Sequence, residues 1–331
     1  MKVLITGGTG FVGSHTAAEL IRNGHEIRLL VRSPERIKRA LGPLGISEVD
    51  AVQGDVLDRS SVEAAANGCD ATIHCGSVYS LDPRAAANIK RTNVTGTEIV
   101  LDAAQKMGHD PIIHVSSFVA LIGEKHAVLT PDSKPTRPSG TYFRSKADSD
   151  SVARRFQAKG IPVVITYPGS VWGPNDPHFG ESCQIVRNAL KGYWRITPKG
   201  LLPISDVRDI AALHSAILKK GRGPRRYMAP IQNVSISQVF EIISKVTGQN
   251  VRTSSIPGWT LLWPLRFLDM VQKPLPFRFP VNYQAAYCAD LASRMDDSAT
   301  RSEFGIIPRP LFETIGDTLR WIASEGYLST L

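Results

Sequence analysis

MKVLITGGTGFVGSHTAAELIRNG, residues 1–24, decides the fold. Lys2 to Thr6 reads as a short buried strand, and Ala17, Leu20 and Ile21 recur at helical spacing until Asn23 and Gly24 close the helix. Between them Gly8, Gly10 and Gly13 fit GxGxxG, while Gly7, Gly10 and Gly13 fit GxxGxxG. Glycines there let the chain turn tightly and bring backbone N–H groups against a pyrophosphate, with the helix N-terminus facing the charge. Thr9, Phe11 and Val12 complete the loop. A strand before and an amphipathic helix after distinguish this pattern from a merely flexible turn, so the stretch predicts a dinucleotide site.

An NAD-binding unit places Asp or Glu at the end of the second strand, where it bonds the ribose 2′-hydroxyl. Here that position is Arg32, followed by Arg36, Lys38 and Arg39 with Glu35 the one opposing charge. A guanidinium grips a 2′-phosphate in bidentate fashion and a carboxylate repels it, so NADP(H) is the expected cofactor. Arg36 and Lys38 also fit a solvated helix face. Asp55, in GDVLD, fits either an acceptor for the adenine amino group or a helix N-cap.

Outward from this stretch, short β-branched runs alternate with helical patterns. Candidate strands are Lys2 to Thr6, Glu26 to Val31, Val49 to Gly54, Ala71 to Cys75, Pro111 to Ser116 and Pro162 to Tyr167. The fold class is therefore α/β: a Rossmann-type, doubly wound parallel sheet over residues 1–168. From about Gly169 prolines and aromatics become frequent, and helices such as Ser235 to Thr247 and Leu311 to Ser324 alternate with loops. This marks a smaller, mostly helical substrate lobe over 169–203 and 221–331, with 204–220 returning to the first lobe.

After the fifth strand come Ser116 and Ser117, and farther on TYFRSK places Tyr142 and Lys146 one helical turn apart on one face. A fixed ammonium favours a phenolate, which would bring the phenol toward useful acid–base strength. Ser117 would hold a substrate oxygen while Tyr142 moves the proton. Tyr-x-x-x-Lys arises by chance, and its position at the start of a helix after a serine-bearing strand end carries the argument.

With these residues the chain resembles the extended short-chain dehydrogenase/reductases over nearly its whole length. The matching stretches are TGGTGFVG from Thr6, GDVLD from Gly54 (which adds Val56 to the cofactor set), TNVTGT from Thr92, YFRSK from Tyr142, YPGSVWGP from Tyr167 and SDVRDIAALH from Ser205. The resemblance implies that Asn93 supports the active-site helix and a proton-relay water. It also implies that Pro168, Gly169, Ser170 and Val171 border the nicotinamide, and that Cys75, Gly76 and Ser77 pass beneath the cofactor. The sequence departs from the family's usual wording at His74 to Ser77 and at Trp172. Homodimers through the helices after the fourth and fifth strands are common in the family.

Within the family, sugar dehydratases carry an acidic pair near the serine, and Ser117-Phe118-Val119 has none. With Arg32 this favours NADP(H)-dependent reduction of a ketone or aldehyde, in the branch of dihydroflavonol reductases, 3β-hydroxysteroid dehydrogenases and aldehyde reductases. The alternatives are a nucleotide-sugar epimerase or dehydratase and an NADP-sensing regulator. Tyr79, Phe118, Trp172, Phe179, Trp194 and the stretch Trp259 to Phe267 are pocket candidates suited to a bulky apolar substrate, against ordinary core for most of them.

The formal charge is +9, yet no nucleic-acid module is present. KKGRGPRR, Lys219 to Arg226, reads as a solvated loop after a helix. Cys69, Cys75, Cys183 and Cys288 lack metal or disulfide spacing, so reduced thiols and no metal are expected. His74, His114 and His214 are expected to satisfy local hydrogen bonds. With no leader or membrane-spanning run recognised, a cytoplasmic protein is expected.

Overall fold

The computed structural model describes residues 1–79, 85–193, 196–251, 253–272 and 283–327. Seven parallel strands form the central sheet: β1 (Lys2–Thr6), β2 (Glu26–Val31), β3 (Asp50–Gln53), β4 (Ala71–His74), β5 (Ile112–Val115), β6 (Val163–Tyr167) and β7 (Arg225–Met228). Their order across the sheet is β7-β6-β5-β4-β1-β2-β3. β1 lies beside both β2 and β4, with Ile5 opposite Leu29 and Ile73. Order therefore reverses at β1, and the crevice beyond its C-terminal end is where this topology binds ligands.

The inner strands are legible because they are covered on both faces, which demands nearly continuous apolar runs. Val3, Leu4, Ile5, Ile112, Ile113, Val163 and Val164 are all fully buried. The six expected strands are all present, shorter by a residue or so at some ends. The seventh was not expected: the reading of Lys219 to Arg226 as a loop holds only to Pro224, because Arg225 and Arg226 open β7. A short edge strand needs no long apolar run, and charge on it blocks pairing with another chain. Arg226 is spent on Asp132 at 2.8 Å and Gln157 at 3.0 Å.

The helix Phe11–Arg22 packs along Val207–Ile217, and Thr16 Oγ1 and His214 Nδ1 share a hydrogen bond of 2.9 Å between them. A separate apolar cluster joins Trp172, Val186, Phe240 and Ile243 with Ile315 and Leu319 from the helix Leu311–Ser324. It lies against a small sheet of Gln232–Ser235, Leu201–Asp206 and Ser170–Trp172. The helix Ile236–Thr247 starts on a capping box of Ser235 and Gln238 and stops at Gly248. Buried Asp206 accepts hydrogen bonds from the Arg208 guanidinium and the Thr314 hydroxyl, tying Val207–Ile217 to Leu311–Ser324.

Candidate active site

Gly7 has φ +72°, and a Cβ there would lie 2.7 Å from the Gly76 backbone; one on Gly13 would lie 2.2 Å from the Gly7 carbonyl oxygen. No larger residue fits either place, which is how β1, the turn and the first helix come so close. Gly10 caps that helix with no side-chain bond, and no acidic residue occupies its first turn. The leading N–H groups are thus available to an anion, as a pyrophosphate cradle requires.

This turn forms part of the wall of a cavity of about 1100 Å³. Gly7, Gly10, Phe11, Val12 and Gly13 are in its lining, as are Cys75, Ser77 and Pro168 to Val171. Ser117, Phe118, Tyr142, Lys146 and Tyr79 line it too, and Glu181, Leu261 and Leu265 are also in its wall. The structure thus brings the glycine turn, the Ser-Tyr-Lys set and the substrate candidates Tyr79 and Phe118 into one space. Of the expected site residues, Thr9, Arg32, Arg36, Arg39, Asp55, Val56, Gly76 and Asn93 are not in its wall; Gly76 backs Gly7, and Val56 packs against Gly96.

Arg32, Arg36 and Arg39 are exposed just beyond β2. No carboxylate pairs with any of them among the described residues. The helix N-cap reading of Asp55 gives way to Asp58, which caps Arg59–Ala66, while Asp55 accepts from the Leu57 amide at 2.9 Å. Trp172 requires correction: it is fully buried in the apolar cluster behind the small sheet, its indole donating to Ser170 Oγ at 3.1 Å. Phe179 likewise stands outside the cavity wall, its ring 4.2 Å from that of Tyr327 and under the Arg187 guanidinium. Trp194 lies outside the described residues. In the stretch Trp259 to Phe267 only Leu261 and Leu265 reach the cavity.

Ser117 ends the extended backbone after β5 and caps the short turn Phe118–Ala120, its hydroxyl accepting from the Val119 amide at 3.4 Å. Tyr142 and Lys146 lie on the helix Thr141–Ala158, and Lys146 Nζ donates to the Val115 carbonyl at 3.2 Å. Burial holds the Lys146 ammonium down at about 8, opposed by Cys75 and Asp150. Here the sequence reading is corrected: burial pushes the Tyr142 phenol above its ordinary value, where the ammonium was expected to draw it down. Burial also raises the Cys75 thiol to about 12, so it stays protonated and unreactive at neutral pH.

Asn93 is 2 % exposed and sits in a turn of π-helix, Arg91–Thr95. Its carbonyl accepts from the Val78 amide at 2.7 Å, and its amide donates to the Val78 carbonyl at 3.1 Å and to Ser145 Oγ at 2.9 Å. Ser145 in turn donates to the Tyr142 carbonyl at 2.7 Å. Asn93 therefore clamps the loop leading to Tyr79 onto the helix that carries Tyr142. π-Turns concentrate at functional sites, and nothing in the one-letter pattern announces this one.

Sequence reasoning missed two further features. The Glu181 carboxyl is within hydrogen-bonding reach of the Tyr79 hydroxyl, and burial raises both groups. The Tyr79 ring meets that of Tyr142 edge-on at 4.6 Å. An acidic first-turn residue is common on any helix, so Glu181 gave no signal. Behind Ser117, Ser116 donates to Asp150 at 2.9 Å, and Arg154 binds both Asp150 and the Tyr167 hydroxyl. Of the histidines, His74 is satisfied by Thr6 and Thr97, and His214 by Thr16 and Thr166. His114 departs from expectation: it stacks on His74 at 5.6 Å, with neither ring nitrogen hydrogen-bonded among the described residues.

A glycine cradle at a sheet's switch point, sharing a cavity with Ser, Tyr and Lys, defines a nucleotide-dependent oxidoreductase architecture. Residues 3–229 match the NAD dependent epimerase/dehydratase family, and the chain belongs to that family. It is 28% identical to a putative dihydroflavonol 4-reductase of Synechocystis, covering 98% of this chain and 96% of that one. It is 30% identical to 4-hydroxy-2-methyl-3-oxo-4-farnesyl-3,4-dihydroquinoline-1-oxide ketoreductase of Stigmatella aurantiaca, covering 98% of each. The UDP-glucuronic acid 4-epimerase of Bacillus cereus, solved with UDP-glucuronic acid and NAD, has the same fold, with a TM-score of 0.78 at 16% identity over 98% of this chain and 100% of that one. The α/β fold and the extended short-chain dehydrogenase/reductase resemblance are borne out.

Proposed function

We propose that the protein is an NADP(H)-dependent carbonyl reductase acting on a ketone or aldehyde within a bulky, largely apolar molecule. The observation that carries this reading is the single cavity that joins the glycine turn to Ser117, Tyr142 and Lys146. The turn from Gly7 to Gly13 would hold NADPH, which when bound would supply the hydride that the carbonyl carbon accepts. Ser117 Oγ donates a hydrogen bond to the carbonyl oxygen and fixes its position. Tyr142 Oη gives that oxygen a proton; burial keeps the phenol protonated, the state an acid needs for reduction. Lys146, charged below about pH 8, favours the phenolate left behind.

Three exposed arginines, Arg32 just after β2 and Arg36 and Arg39 on the helix Arg36–Leu41 that follows, are free of carboxylate partners among the described residues and support a 2′-phosphorylated cofactor. The reductase names of two full-length relatives agree with reduction. The test is oxidation of NADPH and of NADH by the purified protein with aromatic aldehydes, steroid ketones and flavonoid ketones, beside a nucleotide-sugar epimerisation assay. Turnover with NADPH that falls about 10²- to 10⁴-fold in Tyr142→Phe is the expected result. Conversion of a nucleotide sugar with no net NADPH loss would replace this reading with the epimerase one.

A further inference from the structure

The helix Trp259–Val271 has two apolar faces and no buried residue. Leu261 and Leu265 line the cavity. Trp259, Trp263, Phe267 and Met270 recur along another side and are 62%, 81%, 64% and 57% exposed. Tyr193 and Ile196, themselves in the cavity wall, are also more than half exposed. So many large apolar side chains on one short helix exceed the scattered exposure of ordinary surfaces and mark a contact face.

Charge indicates what that face meets. Lys191, Lys199 and Arg266, on the segments that carry these side chains, are exposed. Asp269, the one carboxylate among the described residues of 187–199 and 253–272, is taken up by Gln272 and the Tyr283 amide. A second copy of the chain would bring the same cations against each other on a molecule of net charge +9. An anionic lipid surface offers opposite charge to the cations and an apolar layer to the rings, and Trp and Phe with Lys and Arg are the side chains of interfacial helices. At 13 residues the helix is about 20 Å long, too short to cross a bilayer, and no described helix is long and apolar enough to do so.

We propose that this face docks the protein peripherally on an anionic phospholipid bilayer, with Trp259, Trp263, Phe267 and Met270 seated in the interfacial layer. The docking helix is also a wall of the cavity, so the cavity lies about one helix diameter, 10 Å, from the lipid. The proposal concerns binding alone and stands or falls separately from the reductase reading.

The experiment is co-sedimentation of the full chain with vesicles of phosphatidylglycerol and phosphatidylcholine in equal parts, and with phosphatidylcholine alone, at low and high salt. Trp263→Ser with Phe267→Ser is the test variant, since both side chains are exposed; an unchanged melting temperature shows that it folds. The expected result is binding to the anionic vesicles that weakens with salt and drops about tenfold or more in the variant, from the apolar area removed. No binding at low salt, equal binding by the variant, or salt-independent binding to both vesicles alike would overturn the proposal. So would concentration-dependent self-association, by sedimentation velocity, that the variant abolishes: the face would then belong to a second copy.

Discussion

Lys146 is 6 % exposed and its folded pKa of about 8 lies below the ordinary 10.5. Between those values the unfolded chain binds the extra proton, so wild-type stability rises with pH across that window. Replacing the ammonium with an apolar group should remove the cost of burying it. Lys146→Met is expected to gain about 1–3 kcal/mol at pH 7 while losing turnover, with the gain fading between pH 8 and 10.5, as urea unfolding at a series of pH values would read. Arg32→Asp should weaken NADPH binding about 10- to 100-fold, the worth of a charge-assisted contact, and leave NADH binding nearly untouched. Fluorescence titration with both nucleotides checks this, and an unchanged preference would sink the role given to Arg32. At Glu181 the buried carboxyl should repel anionic substrates. Glu181→Gln keeps a group able to bond Tyr79, and is expected to lower KM for an acidic aldehyde relative to a neutral one of similar size.

Elements show what a linear pattern can reveal. The glycine turn was readable because Gly7 and Gly13 tolerate no Cβ and the flanking periodicities differ. Gly13→Ala should therefore abolish nucleotide binding, measured by titration, or the fold itself, measured by circular dichroism, since its methyl would fall 2.2 Å from the Gly7 oxygen. Tyr142 and Lys146 were legible from helical spacing combined with their place at the start of a helix after a serine-bearing strand end, and Ser117 from its place after a buried strand. Trp172 was misplaced because adjacency in sequence to site residues says nothing about which side of a strand a ring takes, and Phe179 because an aromatic in the second lobe serves packing as readily as a pocket. Trp172 turned into the apolar cluster while Val171, next to it, reached the cavity. β7 was invisible because two of its four residues are arginine. Support of the active-site helix by Asn93 came from the family resemblance and not from spacing, because its partners lie 15 and 52 residues away. Asn93→Ala should cost about 1–3 kcal/mol in urea unfolding from the buried bonds lost and lower kcat more than it raises KM, because Tyr142's helix loses its tie to the Val78 loop.

At the scale of the whole molecule, the chain leaves the sheet after β6, builds part of the small sheet, and comes back twice. The helix Val207–Ile217 lies against the nucleotide helix, and β7 closes the sheet edge beside β6. It then goes out again to the small sheet and the last helices, with Asp206, Arg208, Thr314 and Asp317 bonded across the two parts. A piece ending at residue 168 would therefore lack both a sheet strand and the helix that covers Phe11–Arg22. Neither part has a core that is finished without the other's chain, so heat should melt both in one calorimetric transition. Limited proteolysis in the middle of the sequence should leave two fragments that stay together until denatured. For evolution the weave has the same meaning. Such a molecule cannot acquire a new substrate lobe by joining one segment to another, and must change specificity by altering side chains and loops in place.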